Sequence, residues 1–532
     1  MTSEPTTSIV TVPAPATQPS AVDRLRDWHP TDRLVAWLVT AAITAFAFAI
    51  RLANVGYPAN LVFDETYYAK DAWSLLQSGY ERDWAEDANA SILAGNLDVM
   101  KESGAFVVHP PVGKWLIAAG EWAFGLNSFG WRIAAVVFGS LLVLVTIRLA
   151  RRLSRSTMVG AIAGVLLTFD GLAFVMSRIA LLDVFQSFFL VTGVSALVAD
   201  RDWFRHRLAD ALERSGRRDL GGAFGPGVWW RPWRWVAGLM FGLAVGTKWN
   251  SLYVVAVFGL LSVLWDVGAR RLAGGGFRSW LALLADGLPA FVSVVVTGAA
   301  AYLASWGPWL RTAGGWGRDW GAQHPDDPLT RTLGEGLASL VHYHQEIYAF
   351  HTGDFINSQT HPYSAHPAGW LLMLRPIGID AVNDIQVGTD GCLGPDKCLR
   401  VINAMGTPVL WWLAALALVV AAVWWLAGRD WRFGVPVLGV AATWLPWFQY
   451  TERPLFFFYA ITIIPFSAIA LALVLGLVLG DARSPGRRRG ATIAGVAVAA
   501  VVANFAWIHP LLTDALLPYQ SWLSRVWLRS WI

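Results

Sequence analysis

Two adjacent carboxylates stand in the stretch Leu61-Val62-Phe63-Asp64-Glu65-Thr66-Tyr67-Tyr68. The aromatics Phe63, Tyr67 and Tyr68 around them imply a partly buried setting, where a carboxylate is a ready proton acceptor. The plain alternative is a pair of loop charges. Elsewhere the chain offers Lys114, Arg132, Arg178, Lys248 and Arg453, with His109, Asp183 and Glu452 near them in type and setting. Arginine forks and lysine point charges both bind phosphate, so proton abstraction beside an anionic ligand is chemistry these residues could do. Each also has a structural alternative. Arg178 and Asp183 could pair with one another, Lys114 could snorkel to an interface, and Lys248 could belong to a simple turn.

What must position these residues is a membrane scaffold. Of the 532 residues, 55% are hydrophobic and 15% charged, with mean hydropathy +0.46; a soluble domain carries about 25% charged residues. Repeated apolar runs near the ~20 residues that cross a bilayer indicate an all-α polytopic membrane protein. The 31 Trp suit aromatic belts at the two interfaces. A net charge of +4 does not point to nucleic acid, because the arginines cluster between the runs, where topology explains them. Residues 1–32 are rich in Pro, Ser and Thr and read as a disordered cytoplasmic tail. The first apolar run comes late and lacks a small-residue cleavage site, so a secretory signal is not expected.

From residue 33 onward eleven spans are expected, at about 34–50, 133–147, 158–175, 179–199, 235–247, 252–265, 280–306, 407–426, 434–448, 455–479 and 491–508. Arginines at 148–155, 201–234, 270–278, 429–432 and 483–489 mark the inner loops, which puts the N-terminus in and the C-terminus out. Two large outer loops result. The first, 51–130, holds the acidic pair, a helical stretch Tyr67–Gln77 and a short apolar helix, Trp115–Gly125, that carries Glu121 and lies at the interface. The second, 307–405, is polar, holds six of the ten histidines and contains a helix near Leu329–Phe350. The Trp-rich tail 510–532 is outside, along the interface.

This topology sorts the charges. Those that inner loops do not explain all fall at outer ends of spans or in outer loops, where the positive-inside rule would not place basic residues. An anionic ligand at the outer leaflet accounts for them. The histidines at 342, 344, 351, 361 and 366 could suggest a metal site, but their spacing matches no strong ligand pattern. Cys392 and Cys398 are the two cysteines; with Gly394 and Pro395 between them they can close a small ring, and a disulfide is expected if that loop faces an oxidising compartment.

The stretches Phe63-Asp64-Glu65-Thr66-Tyr67-Tyr68, His109-Pro110-Pro111-Val112-Gly113-Lys114, Ser177-Arg178-Ile179-Ala180-Leu181-Leu182-Asp183, Gly246-Thr247-Lys248-Trp249 and His361-Pro362-Tyr363 resemble the protein O-mannosyltransferases in the bacterial form found in actinobacteria. The resemblance runs from about residue 34 to the end. It implies the GT-C fold and an inverting transfer of mannose from polyprenyl-phosphate-mannose to Ser or Thr hydroxyls of proteins in transit, at the outer face of the cell membrane. It implies no cofactor or metal beyond the lipid-linked donor, with acceptor proteins, membrane lipids and the secretion translocon as expected partners. By the same resemblance Asp64 is the base and Glu65 its neighbour in the catalytic pair, positioning Asp64, the acceptor or the outer-loop helices. Arg132, Arg178, Lys248 and Arg453 are the phosphate candidates, and His109, Lys114, Asp183, His361 and Tyr363 the sugar or acceptor candidates. No large β-rich insert occupies 307–405, unlike eukaryotic members. A related enzyme with a lipid or glycan acceptor would share the donor site and differ in that loop. A lipid transporter or flippase would instead place polar residues near the midplane and repeat its halves, and the sequence has neither pattern.

Overall fold

The computed structural model describes residues 20–26, 30–481 and 485–532. A helical stretch stands at each of the eleven expected spans. Among the described residues seven helices are long and apolar enough to cross a membrane: Arg33–Leu52, Ser128–Ser154, Asp183–Arg214, Ser251–Leu272, Gly276–Ser305, Pro408–Leu426 and Arg487–Leu512. The other four are shorter or broken. Thr157–Thr168 stops where Asp170 caps a new short helix, Gly171–Met176. The Asp170 carboxylate accepts from the Ala173 amide at 2.8 Å, the Thr407 amide at 3.1 Å and the Trp411 indole at 2.8 Å. A buried acid satisfied three times over is a reason to break a helix that apolar spacing alone does not reveal. Pro232–Val245 and Trp431–Trp444 have 14 residues each, and Ile464–Leu479 is preceded by a 3₁₀ stretch, Phe457–Thr462.

The Ser128–Ser154 helix is central, packing on Arg33–Leu52, Val112–Phe124, Thr157–Thr168 and Asp183–Arg214. Asn127 starts it by accepting from the amides of Phe129 (3.1 Å) and Gly130 (3.0 Å). Arg151 and Arg152 in its last turn complement the helix dipole. The Asp183–Arg214 helix begins four residues later than expected and continues through a stretch expected to be an inner loop. At its far end Arg231 and Arg234 are buried with Asp200 and Asp266, for example Arg231–Asp266 at 2.8 Å and Arg234–Asp266 at 2.6 Å. Charges taken out of water this way must be paired, and here the pairing ties three helices together.

Several local expectations are revised. The expected helix Leu329–Phe350 is two helices, Pro328–Leu333 and Glu335–Thr352, because Gly334 adopts φ 77° between them. The second loop also carries an antiparallel pair, Ile377–Ile385 with Cys398–Ala404, joined at its edge by Leu517–Pro518, so the fold is not helical throughout. Cys392 and Cys398 are disulfide-bonded within that hairpin. The C-terminal tail docks on this loop: the Trp531 indole donates to the Met373 carbonyl at 2.8 Å. In the stretch expected to be disordered, Ala21–Leu25 is a helix with a Ser20/Asp23 capping box, packed near Phe204 and Leu208. Residues 1–19 and 27–29 lie outside the described residues.

The first loop is fastened by one ion pair. Glu65 and Arg132 are 0% and 1% exposed. The guanidinium donates to both Glu65 oxygens at 2.8 Å and to the carbonyls of Val55 (3.1 Å), Pro58 (2.8 Å) and Asn60 (2.9 Å), using all five of its N–H groups. Glu65 also accepts from the amides of Val62 (3.0 Å) and Ala180 (2.9 Å). Replacing Arg132 with Ala would leave the Glu65 charge buried and unpaired. We expect a loss of about 3–5 kcal/mol, read as a lowered melting temperature of the purified protein; an unchanged melting temperature would mean the pair does not hold the loop.

Candidate active site

Three of the motif stretches are forced together by close backbone approach. The Val112 amide donates to the Gly246 carbonyl at 2.9 Å. A side chain on Gly246 would meet Val112 at 2.6 Å, and one on Gly113 would meet Leu182 at 2.8 Å and Thr247 at 3.1 Å. Glycine at both positions therefore lets the stretches ending in Lys114, Asp183 and Lys248 pack against each other.

Beside this junction lies a cavity of about 430 Å³, whose walls include His109, Lys248, Trp249, Tyr253, His351 and Arg453. Lys248 donates to both oxygens of Asp183, each at 2.8 Å, and its ammonium stands 5.3 Å from the Tyr459 ring centre. Asp183 thus neutralises Lys248. His351 Nε2 lies 2.9 Å from the Val108 carbonyl, so that nitrogen carries the hydrogen and Nδ1 accepts from Arg453 Nη1 at 3.2 Å. Burial holds His351 down to about 4, outweighing the raising effect of its Val108 bond, with the Arg453 and Lys248 charges adding to the depression. Burial, with Lys248 and His351 next, also holds His109 well below the usual histidine range. The two rings stack with centres 5.4 Å apart and are neutral at pH 7. Arg453 is then the wall's uncompensated cation. It has no ion pair among the described residues, and its buried Nε has no hydrogen-bond partner.

Asp64 stands next to Glu65, at the start of the Glu65–Ser78 helix, but makes no capping bond there. It is half-buried, within electrostatic reach of Lys248 and Asp183. Burial pushes its carboxyl up to about 6, opposed by Lys248 and reinforced by Asp183. Phe63 before it has a left-handed backbone, φ 49°, a conformation that costs a non-glycine residue about 1–3 kcal/mol. Edge contacts to Phe456 and Phe458, ring centres 6.4 and 5.7 Å away, hold it there.

The sequence candidates therefore separate. Asp64, His109, Lys248 and Arg453 gather at or beside the cavity. Arg132 does not: it is buried and its donors are spent on Glu65 and the loop carbonyls. Arg178 turns Nη1 and Nη2 to the carbonyls of Arg51 (2.6 Å), Ala53 (2.7 Å) and Asn54 (3.3 Å) at the end of the Arg33–Leu52 helix; it forms no ion pair with Asp183 among the described residues. Lys114 is buried against Glu81, with Asp71 at 3.9 Å, and is not among the residues lining this cavity. Asp183 meets Lys248 rather than open space. Glu65 is a fastening, not a second free carboxylate. His361 and Tyr363 are not among the residues lining this cavity: His361 packs edge-on to Phe456 at 4.9 Å and Arg375 covers Tyr363. Among the described residues no group of three His, Cys, Asp or Glu side chains is placed to hold a metal ion.

Sequence reasoning passed over Tyr253, Tyr450 and Tyr459 and weighed His351 only as one of the loop histidines. Tyr253 and Tyr450 share a hydroxyl contact of 3.0 Å on the cavity rim. Tyr450 sits in the outer turn with Arg453, which was the one available hint; His351 was grouped with the loop histidines, and nothing in its spacing announced a stacking partner 242 residues away.

Residues 41–273 match the family described as dolichyl-phosphate-mannose-protein mannosyltransferase, and residues 337–531 match the C-terminal four TMM region of protein-O-mannosyltransferase. The polyprenol-phosphate-mannose–protein mannosyltransferase of Mycobacterium tuberculosis is 39% identical over 97% of this chain and 96% of its own length. The chain belongs to this mannosyltransferase family. The Corynebacterium glutamicum relative of the same name is 34% identical over 92% of each chain. Among solved structures, the Saccharomyces cerevisiae protein O-mannosyltransferase Pmt1-Pmt2 complex bound to the sugar donor matches 97% of this chain and 95% of that one, with a TM-score of 0.69 at 12% identity. That likeness is one of fold, the GT-C architecture.

In this family member the elevated Asp64 has a thermodynamic signature. Its folded value, about 6, lies above its unfolded value of 3.8, so the wild type loses stability as pH rises through that window. Asp64→Asn removes the titration. Its melting temperature should exceed that of the wild type above pH 6, and the gap should close below about pH 4. A variant less stable than wild type at neutral pH would show that bonds hold the carboxylate.

Proposed function

We propose that this protein transfers mannose from polyprenyl-phosphate-mannose to Ser or Thr hydroxyls of other proteins. The observation that carries the reading is Asp64: a half-buried carboxylate without a capping bond, elevated toward neutrality, beside a cavity whose unpaired cation is Arg453. A hydroxyl is a weak nucleophile and needs a base whose pKa lies near the working pH. Asp64 Oδ takes the hydroxyl proton as that oxygen bonds to the sugar C1. The bond from C1 to the phosphate oxygen breaks on the opposite face, which inverts the carbon. Polyprenyl phosphate leaves with the electron pair, and Arg453, with the remaining donor of Lys248, stabilises its charge. His109 lines the sugar side. No cofactor enters the step.

The acceptor approaches Asp64 past Phe63, Phe456 and His361, which are joined by ring contacts. Trp249 and Tyr348 are shared with a neighbouring apolar hollow of about 530 Å³, which suits the prenyl chain. In the cell membrane the arginine-rich helix ends face the cytoplasm, so the Asp64 side is extracytoplasmic, where acceptors emerge from the secretion translocon.

Transfer of radiolabelled mannose from polyprenyl-phosphate-mannose to a Thr/Pro-rich peptide tests this, with a lipid acceptor assayed beside it. Asp64→Asn should lower transfer by at least about 100-fold with donor affinity retained. Arg453→Ala should weaken donor binding about tenfold, the loss of one charge-assisted contact. Transfer to the lipid alone would reassign the acceptor, and normal turnover by Asp64→Asn would remove the base.

A further inference from the structure

The arginines that end the Ser128–Ser154 helix line a second cavity, which the transfer reaction does not use. It measures about 350 Å³, and its walls include Trp37, Arg148, Arg152, Thr192, Ser195 and Trp233. These come from the Arg33–Leu52, Ser128–Ser154, Asp183–Arg214 and Pro232–Val245 helices. Three of those helices hold the other centre at their opposite ends: Arg132, which fastens the Asp64 loop, near the start of one, Asp183 opening another and Lys248 just beyond the third. From Arg132 to Arg148 is about 24 Å along a helix axis, so the cavity belongs to the opposite membrane face.

One of its arginines stands without an ion pair among the described residues. Arg148, Arg151, Arg152 and Arg155 line it. Asp32 takes Arg151 at 2.7 Å, and Asp202 is shared by Arg152 and Arg155, each at 3.3 Å. Arg148 forms no ion pair among the described residues; Asp32, bonded to Arg151, reaches it only at longer range. Its guanidinium stacks 3.9 Å from the Trp37 ring centre, and its Nη1 is buried without a hydrogen-bond partner. Topology and the helix dipole explain why arginines gather at such an end. They do not explain a buried, oriented and unsatisfied donor beside a cavity, which is the arrangement that an anion completes.

We propose that this cavity binds the phosphate of an anionic lipid, from the leaflet opposite the one that supplies the donor. Arg148 grips the phosphate and Arg152 adds charge. Ser195 offers a hydroxyl to the headgroup, Thr192, whose hydroxyl donates to the Phe188 carbonyl at 2.7 Å, adds wall, and Trp37 and Trp233, 45% and 41% exposed, flank it at interfacial depth. The remaining wall, Leu144, Val145, Ala196 and Val236, is apolar and suits the start of an acyl chain better than a free anion. Basic pockets between helices on the cytoplasmic side are a recurring form of headgroup site.

The full chain in detergent, given equal phosphatidylglycerol and phosphatidylcholine, tests this by native mass spectrometry. The wild type should retain phosphatidylglycerol preferentially. Arg148→Gln should reduce that retention about fivefold, the effect of one arginine near a lipid phosphate. Thr192→Leu, which fills the cavity without changing charge, should reduce it as well, and covers the case in which the arginine variant fails to fold. Equal retention of the two lipids, or undiminished phosphatidylglycerol on folded Arg148→Gln and Thr192→Leu, overturns the proposal. So does inorganic phosphate alone raising the melting temperature as far as phosphatidylglycerol does, which would make the occupant a soluble anion.

Discussion

Glu65 and Arg132 form the contact on which the site depends. An ion pair this deeply buried contributes little net stability unless every donor and lone pair is used, and here the five N–H groups of Arg132 and the two oxygens of Glu65 are all engaged. The pair joins the loop carbonyls of Val55, Pro58 and Asn60 to the Ser128–Ser154 helix and to Ala180. That geometry fixes where the chain turns at Phe63, and the turn fixes where Asp64 points. One carboxylate of the pair is spent on structure so that its neighbour can be held without bonds of its own. A carboxylate left with solvent loss as its main perturbation rises in pKa, which is the property a base for a hydroxyl needs.

The same economy explains why so few of the basic residues reach the cavity. Arg178 and Lys114 look identical to Arg453 in sequence: cations at span ends, against the topological rule. In the fold, Arg178 closes the carbonyl end of the Arg33–Leu52 helix and Lys114 joins Glu81 and Asp71. Arg453 forms no ion pair among the described residues, and its Nε has no hydrogen-bond partner. What separates these cations is where the fold turns their donors, to helix-end carbonyls, to carboxylates or to the cavity wall, and that is a property of the assembled structure.

The helical membrane scaffold and the family were legible in the sequence because both rest on signals local to a stretch: runs of apolar residues, and short motifs such as His109-Pro110-Pro111-Val112-Gly113-Lys114. The interruption at Asp170 was not, since it depends on Thr407 and Trp411 more than 200 residues away. Nor was the split at Gly334, where an isolated glycine inside a helical pattern is ambiguous. The site was legible as an inventory containing Asp64, His109, Lys248 and Arg453, but not as a division of labour. Neutral His351, stacked on His109, and the Asp183–Lys248 pairing arise from long-range packing that no spacing encodes.

The central claim is that Asp64 takes the acceptor proton, and the pH dependence of single-turnover mannose transfer tests it most directly. The account predicts a rate that rises with pH through an apparent pKa of about 6 and an Asp64→Asn protein whose residual rate lacks that limb. A wild-type rate flat between pH 5 and 7, or a limb that persists in Asp64→Asn, would contradict it.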